Sequence, residues 1–180
     1  MATTKKTTTK DKKETKKVDE NQIITLYMQQ MLMGDDFPKT VFAFCKKNDI
    51  EESDFYTFFG SFDSLKQEIW NKFLENTIST LHNDSSFSGF SPKNKLLTLY
   101  FTLFEVLTLN RSYVLYTLKD NKEGLSNLAQ LKQFRMAMKE FVSNHIATDE
   151  SRASKLSKIT KPVYSEGAWI QFLFILKFWM

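Results

Sequence analysis

Apolar side chains recur at helical spacing along this chain, and no stretch alternates apolar and polar residues as a half-buried strand would. Asp19 stands ahead of the first periodic stretch with Gln22 in the capping-box position. Ile23, Ile24, Tyr27, Met31 and Leu32 then form one apolar face up to Met33, and Gly34-Asp35-Asp36 stops the helix. Pro38 suits the first position of a short second helix carrying Val41, Phe42, Phe44 and Cys45. Asn48-Asp49 is turn chemistry. A third short helix is expected from about 52 to 59, ended by Gly60, and Ser61 can cap a fourth. That fourth helix is long, with Phe62, Leu65, Ile69, Phe73, Ile78 and Leu81 in register and Trp70 and Leu74 beside them.

Residues 82–90, HNDSSFSGF, read as a loop and as the best domain junction. Ser91-Pro92 opens a fifth helix as cap and first residue, running to about Asn110. Residues 111–119 are a short helix or a continuation, and 120–124, DNKEG, a turn. Leu128, Leu131, Phe134, Met138 and Phe141 stripe the next helix. A polar amphipathic helix is expected over 149–160, with Ala153, Leu156 and Ile159 on its apolar side. Pro162 should interrupt it, leaving 163–180 as a separate, strongly apolar final helix. The fold class is therefore all-α. Three units are expected: a tail at 1–18, a small helical domain at 19–66 whose fourth helix continues to about 83, and a larger helical domain at 84–180.

Composition sharpens this. Seventeen Phe against five Gly and three Pro in 180 residues favour helices over a turn-rich β fold. The lone cysteine, Cys45, excludes an internal disulfide and points to a reducing, cytoplasmic location. His82 and His145 are far apart and show no ligand spacing, so neither a metal site nor a cofactor is expected. The net charge of +4 is uneven, because residues 1–17 hold seven Lys against Asp11 and Glu14. This low-complexity tail lacks the apolar region of a signal peptide and is expected to be disordered, as a solubilising segment or as an electrostatic arm for an anionic surface. The final helix is too short for a membrane span and contains Lys177. Its ending on Trp179-Met180 suggests a natural chain that continues, or an end covered by a partner. With no Gly-rich phosphate loop and only two scattered His, an enzyme is not expected; Cys45 lies in an apolar pattern and reads as a structural thiol.

Three short helices before a long fourth, with IEESDFYTFFGSFDSL at 50–65, resemble the DNA-binding domain of TetR-family regulators. Ile50 stands at the apolar turn position. Phe55 and Tyr56 match the family's Leu-Tyr pair, and Phe59, Ser61 and Leu65 match its Phe, its helix cap and its helix-4 core residue. Upstream, VFAFCKKNDI is similar to the family's segment before the turn, and Gly34 to its glycine after helix 1. The resemblance covers 21–70. It implies a helix-turn-helix followed by a helical ligand-binding and dimerisation domain, with DNA met by Lys39, Thr40, Ser53, Tyr56 and Thr57.

The chain departs from the pattern where the family keeps DNA-facing side chains. Glu52 replaces an early Lys or Arg, Phe58 a His, and Phe62 a phosphate-contacting Lys. Between Asp35 and Leu65 three Lys (39, 46, 47) face seven acids, a net of −4 on a unit that would meet a polyanion. The acids early in the third helix also suit its macrodipole.

In the larger domain the fifth helix is nearly apolar all round except for Thr98, Thr102, Glu105 and Thr108, which share one side. That side is either a solvent strip or the polar wall of an apolar cavity in which Glu105 orients a ligand. Tyr113, Tyr116 and Trp169 are aromatic candidates for the same cavity, or ordinary core. The broad apolar surface of the final helix fits a homodimer through the C-terminal helices, as the resemblance implies, or internal packing. Two functions follow: a transcriptional regulator whose DNA binding is controlled by a small hydrophobic ligand, or a TetR-fold protein that binds lipid or a partner and no longer reads DNA.

Overall fold

A computed structural model describes residues 18–34, 37–119, 129–147 and 154–180, the side chains of 119 and 154–160 excepted. The Lys-rich tail, the acidic pair 35–36, the turn at 120–124, Leu128, Ala153 and the side chains of Leu156 and Ile159 lie outside the described residues. The order is α1 (Glu20–Leu32), α2 (Val41–Lys47), α3 (Glu52–Phe58), α4 (Phe62–Asn83), α5 (Pro92–Leu109), α6 (Arg111–Lys119), α7 (Lys132–Phe141) and α8 (Ser154–Trp179). Among the described residues there is no strand, so the all-α reading stands.

The caps form where the sequence places them. Asp19 closes a full capping box with Gln22, its Oδ1 accepting from the Gln22 N–H at 2.8 Å. Gly34 follows α1 at φ +108°, a left-handed conformation that suits a residue without Cβ. Ser61 caps α4 and Ser91 caps α5 ahead of Pro92. The second helix begins at Val41 rather than Pro38: Thr40 caps it, its Oγ1 accepting from the Ala43 N–H at 3.2 Å. The 82–90 loop carries a 3-10 turn, Phe87–Gly89, that buries Phe87 beside Phe90.

The expected break at Pro162 does not occur, and α8 runs through it as one helix. Proline deletes one N–H and crowds the carbonyl four residues back. The buried face that follows, Ser165, Ala168, Trp169, Phe172 and Leu176, offsets that cost by packing onto α5 and α7.

Around α1–α3 the core is an aromatic cluster. Tyr27, Phe37, Phe44, Phe55 and Phe62 meet at ring-centre distances of 5.2–6.3 Å, mostly edge to face. Five ring side chains thus hold α1, α2 and α3, each too short to be stable alone, against the start of α4. The second part of the core lies between α4, α5, α7 and α8, where Trp70, Phe134, Trp169 and Phe172 pack in a chain of edge-on and tilted rings. Trp70 Nε1–H donates to Gln130 Oε1 at 3.0 Å, and Gln130 Nε2–H to the Thr117 carbonyl at 3.3 Å, so a buried polar chain ties α4 to α6. Helices α5 and α8 run side by side in the same direction: Tyr100 donates to the Ala168 carbonyl, Phe104 meets Phe172, and Trp179 donates to Thr108.

Candidate functional site

Helices α2 and α3 meet at a turn in which Asp49 has φ +53° and the Asn48 side chain is fixed by Gln30 and the Phe44 carbonyl. Phe55 is buried beneath α3. The helix therefore presents Ser53, Tyr56 and Thr57 outward, all exposed, with the Thr57 hydroxyl donating to the Ser53 carbonyl at 2.9 Å. Lys39 and Thr40 are exposed just before α2. Ser53, Tyr56 and Thr57 thus share one outward face of α3.

The charge around that face is negative. Asp49 and Glu51 are exposed, and Glu52 and Asp54 half-buried. A groove of about 460 Å³ opens beside them, lined by Phe42, Cys45 and Ile50 with Lys46, Asp49, Glu51 and Glu52. Partial burial and the adjacent Glu52 carboxylate raise the pKa of the Tyr56 hydroxyl. Burial, with Glu52 and Asp54 behind it, pushes the Cys45 thiol up to about 11. Three cations of α2 and α4 are engaged within the protein: Lys66 with Asp63 at 3.0 Å, Lys72 with Glu20 at 3.0 Å and Glu75 at 3.1 Å, and Lys46 over the Phe42 ring. Phe62, at the position where the family pattern has a phosphate-contacting Lys, faces inward into the aromatic cluster, whereas Phe58 and Phe42 are 41% and 59% exposed.

The four candidate ligand residues of the larger domain do not converge. Glu105 is exposed, because Leu99, Leu103 and Leu107 take the buried face of α5; Thr98 and Thr108 turn their hydroxyls onto their own helix. Along this side Glu105 and Thr108 are exposed and Thr98 and Thr102 half-buried. Trp169 lies between α7 and α8 against Phe134 and Phe172, with Arg135 over its ring. Tyr113 and Tyr116 sit on α6, the helix that packs against α1. Tyr113 is 1% exposed, beside Phe73, and its hydroxyl has no hydrogen-bond partner among the described residues. Burial, with Tyr27 next, raises its pKa well above the usual range. Gln130, which anchors Trp70, went unread in the sequence because a lone Gln in a turn carries no pattern. The same holds for Glu166, which joins α8 to Arg135 and Lys139 of α7.

Residues 95–180 match the family model of the Tetracyclin repressor-like, C-terminal domain. Over these residues the chain is similar to the C-terminal domain of TetR-family repressors. No curated protein and no solved structure shows a significant match to it. The family match covers α5 to α8, whereas the sequence resemblance rests on α1 to α4. The two halves of the TetR reading therefore stand on different residues. Among the described residues no helix is long and apolar enough to cross a membrane.

Proposed function

We propose that this chain is a cytoplasmic, homodimeric TetR-family regulator of transcription whose DNA binding is controlled by a small hydrophobic ligand. The observation that carries the reading is the outward face of α3, where Ser53, Tyr56 and Thr57 are exposed beside Lys39 and Thr40 on a chain whose residues 95–180 match the C-terminal domain of this family. In this reading residues 19–66 hold the helix-turn-helix and 84–180 the ligand and dimer domain, with the 1–18 tail supplying cations that the acidic face lacks. The Tyr113 hydroxyl, buried with no partner among the described residues, supports a ligand-contacting role, because a buried donor without an acceptor is costly until a ligand supplies one. Tyr116 on the same helix, Trp169 on α8 and Glu105 on α5 are the other ligand candidates of this reading. The outer face of α8, with Val163, Ile170, Phe174 and Phe178 exposed, supports the dimer contact.

One observation favours a second reading, a TetR-fold protein that binds lipid or a protein partner instead of DNA. Asp49, Glu51, Glu52 and Asp54 crowd the start of α3, with the exposed Phe42 and Phe58 alongside. Fluorescence anisotropy against the region upstream of the protein's own gene separates the two. Specific binding that survives deletion of 1–18 and falls on Tyr56→Ala supports the regulator. Affinity no better than for random DNA removes it, and mass spectrometry of co-purified lipids then tests the second reading.

A further inference from the structure

The two histidines of the chain are 63 positions apart, yet the fold brings their rings to 6.1 Å between centres, inclined at 66°. His82 lies in the last turn of α4. His145 lies in a π-helical turn, Val142–Ile146, that continues α7. Turns of this kind widen a helix by one residue and recur at functional sites. Both imidazoles are exposed, and both rest on Phe141, which is 5% exposed. His145 stacks on that ring at 5.0 Å and 26°, and His82 approaches it at 6.2 Å. The buried Phe141 is thus a fixed platform that limits how the rings can turn away from each other.

We infer that His82 and His145 form a two-imidazole site for a divalent transition-metal ion. Metal–nitrogen bonds of about 2.0–2.1 Å place the ring centres of two imidazoles on one tetrahedral ion about 5.3 Å apart, or about 6.5 Å when the nitrogens lie opposite each other. The observed 6.1 Å falls within that span. Imidazole suits Zn²⁺, Ni²⁺ and Cu²⁺ over the oxygen-seeking Mg²⁺ and Ca²⁺. Among the described residues no third His, Cys, Asp or Glu joins the pair. The ion therefore keeps water in its remaining positions, and the site is open and exchangeable rather than a structural zinc knot. Bound there, the ion ties the end of α4 to the turn after α7. It gives this helix an input separate from any hydrophobic ligand, and the site does not depend on whether α3 reads DNA.

The test is calorimetric titration of the full chain, prepared without a histidine tag, with Ni²⁺ and separately with Zn²⁺. His82→Gln and His145→Phe are run alongside; the second keeps an aromatic ring on Phe141 while removing the ligand nitrogens. The expected result is one equivalent bound, a melting temperature raised by the metal, and affinity weakened at least tenfold in each variant with the metal-free melting temperature of His82→Gln unchanged. Retention of wild-type affinity by either variant, or absence of saturable binding at millimolar metal, overturns the site.

Discussion

Phe62 shows how one residue can be read two ways. In the sequence it stands where the family has a phosphate-contacting lysine, and its presence argues against DNA. In the fold it contacts Tyr27, Phe37, Phe44 and Phe55, with ring centres 5.3–5.9 Å away. The substitution therefore adds to the core as well as removing a cation. Because the ring is half-buried, Phe62→Ala should cost about 2–3 kcal/mol, somewhat below the value for a fully buried Phe. Urea unfolding measures this, and a loss under about 0.5 kcal/mol would contradict the packing account. Cys45 gives a prediction of opposite character. Its thiol is raised from 9.0 to about 11, first by burial and then by Glu52 and Asp54. The unfolded chain releases that proton near pH 9 and the folded chain only near pH 11, so its contribution to stability is complete below pH 9 and lost as pH rises to about 11. Tyr27 and Tyr113 are raised in the same sense and extend the loss upward. A melting temperature that falls over this window, together with slow alkylation of native Cys45 at neutral pH, is the expected outcome. Rapid alkylation without unfolding would show the thiol to be accessible.

At the scale of elements, the chain could be read closely wherever the signal is local. Asp19, Ser61 and Ser91 cap the helices expected of them because a cap needs only a side-chain oxygen within three residues of a free N–H. Loss of the Asp19 cap in Asp19→Ala should lower stability by about 1 kcal/mol. Pro162 was misread for the same local reason: a proline signals a break, but the packing of Ala168, Trp169 and Phe172 decides whether the helix breaks. It follows that Pro162→Ala, which restores an N–H inside α8, should raise the melting temperature. A lower or unchanged value would mean that the proline sets a bend the packing needs. What the sequence could not show was any pairing between distant elements. Trp70 with Gln130, Glu166 with Arg135, and His82 with His145 each join residues at least 31 positions apart, with no pattern at either end.

For the whole molecule, the exposed apolar surface is the feature that most needs covering. Val163, Ile170, Phe174 and Phe178 fall on the side of α8 opposite Ala168, Phe172 and Leu176. Gly167 lies among them with open space where a Cβ would stand. On α5, Leu97 and Phe101 are exposed on the flank next to Phe104, the residue that meets α8. This extends the expected dimer face beyond the final helix to a second one. Phe174→Glu with Phe101→Glu should convert a dimer into a monomer by light scattering while helix content by circular dichroism is unchanged. A double variant that remains dimeric places the contact elsewhere.

Helix α4 starts at the Ser61 cap beside the α2–α3 unit and ends 22 residues later among α5 and α7. At about 1.5 Å per residue it is a rod about 33 Å long. Between Phe62 and Asn83 it holds neither Gly nor Pro, so it has no built-in joint. Motion at one end therefore arrives at the other as displacement rather than being absorbed on the way. A swing of about 6° carries the far end about 3.4 Å, one base-pair step of a duplex. In a symmetric pair the two arms move in opposite directions and the spacing between heads changes by twice that. In the proposed DNA-binding dimer, a rearrangement of side chains at the far end would shift both heads relative to successive grooves without altering the fold.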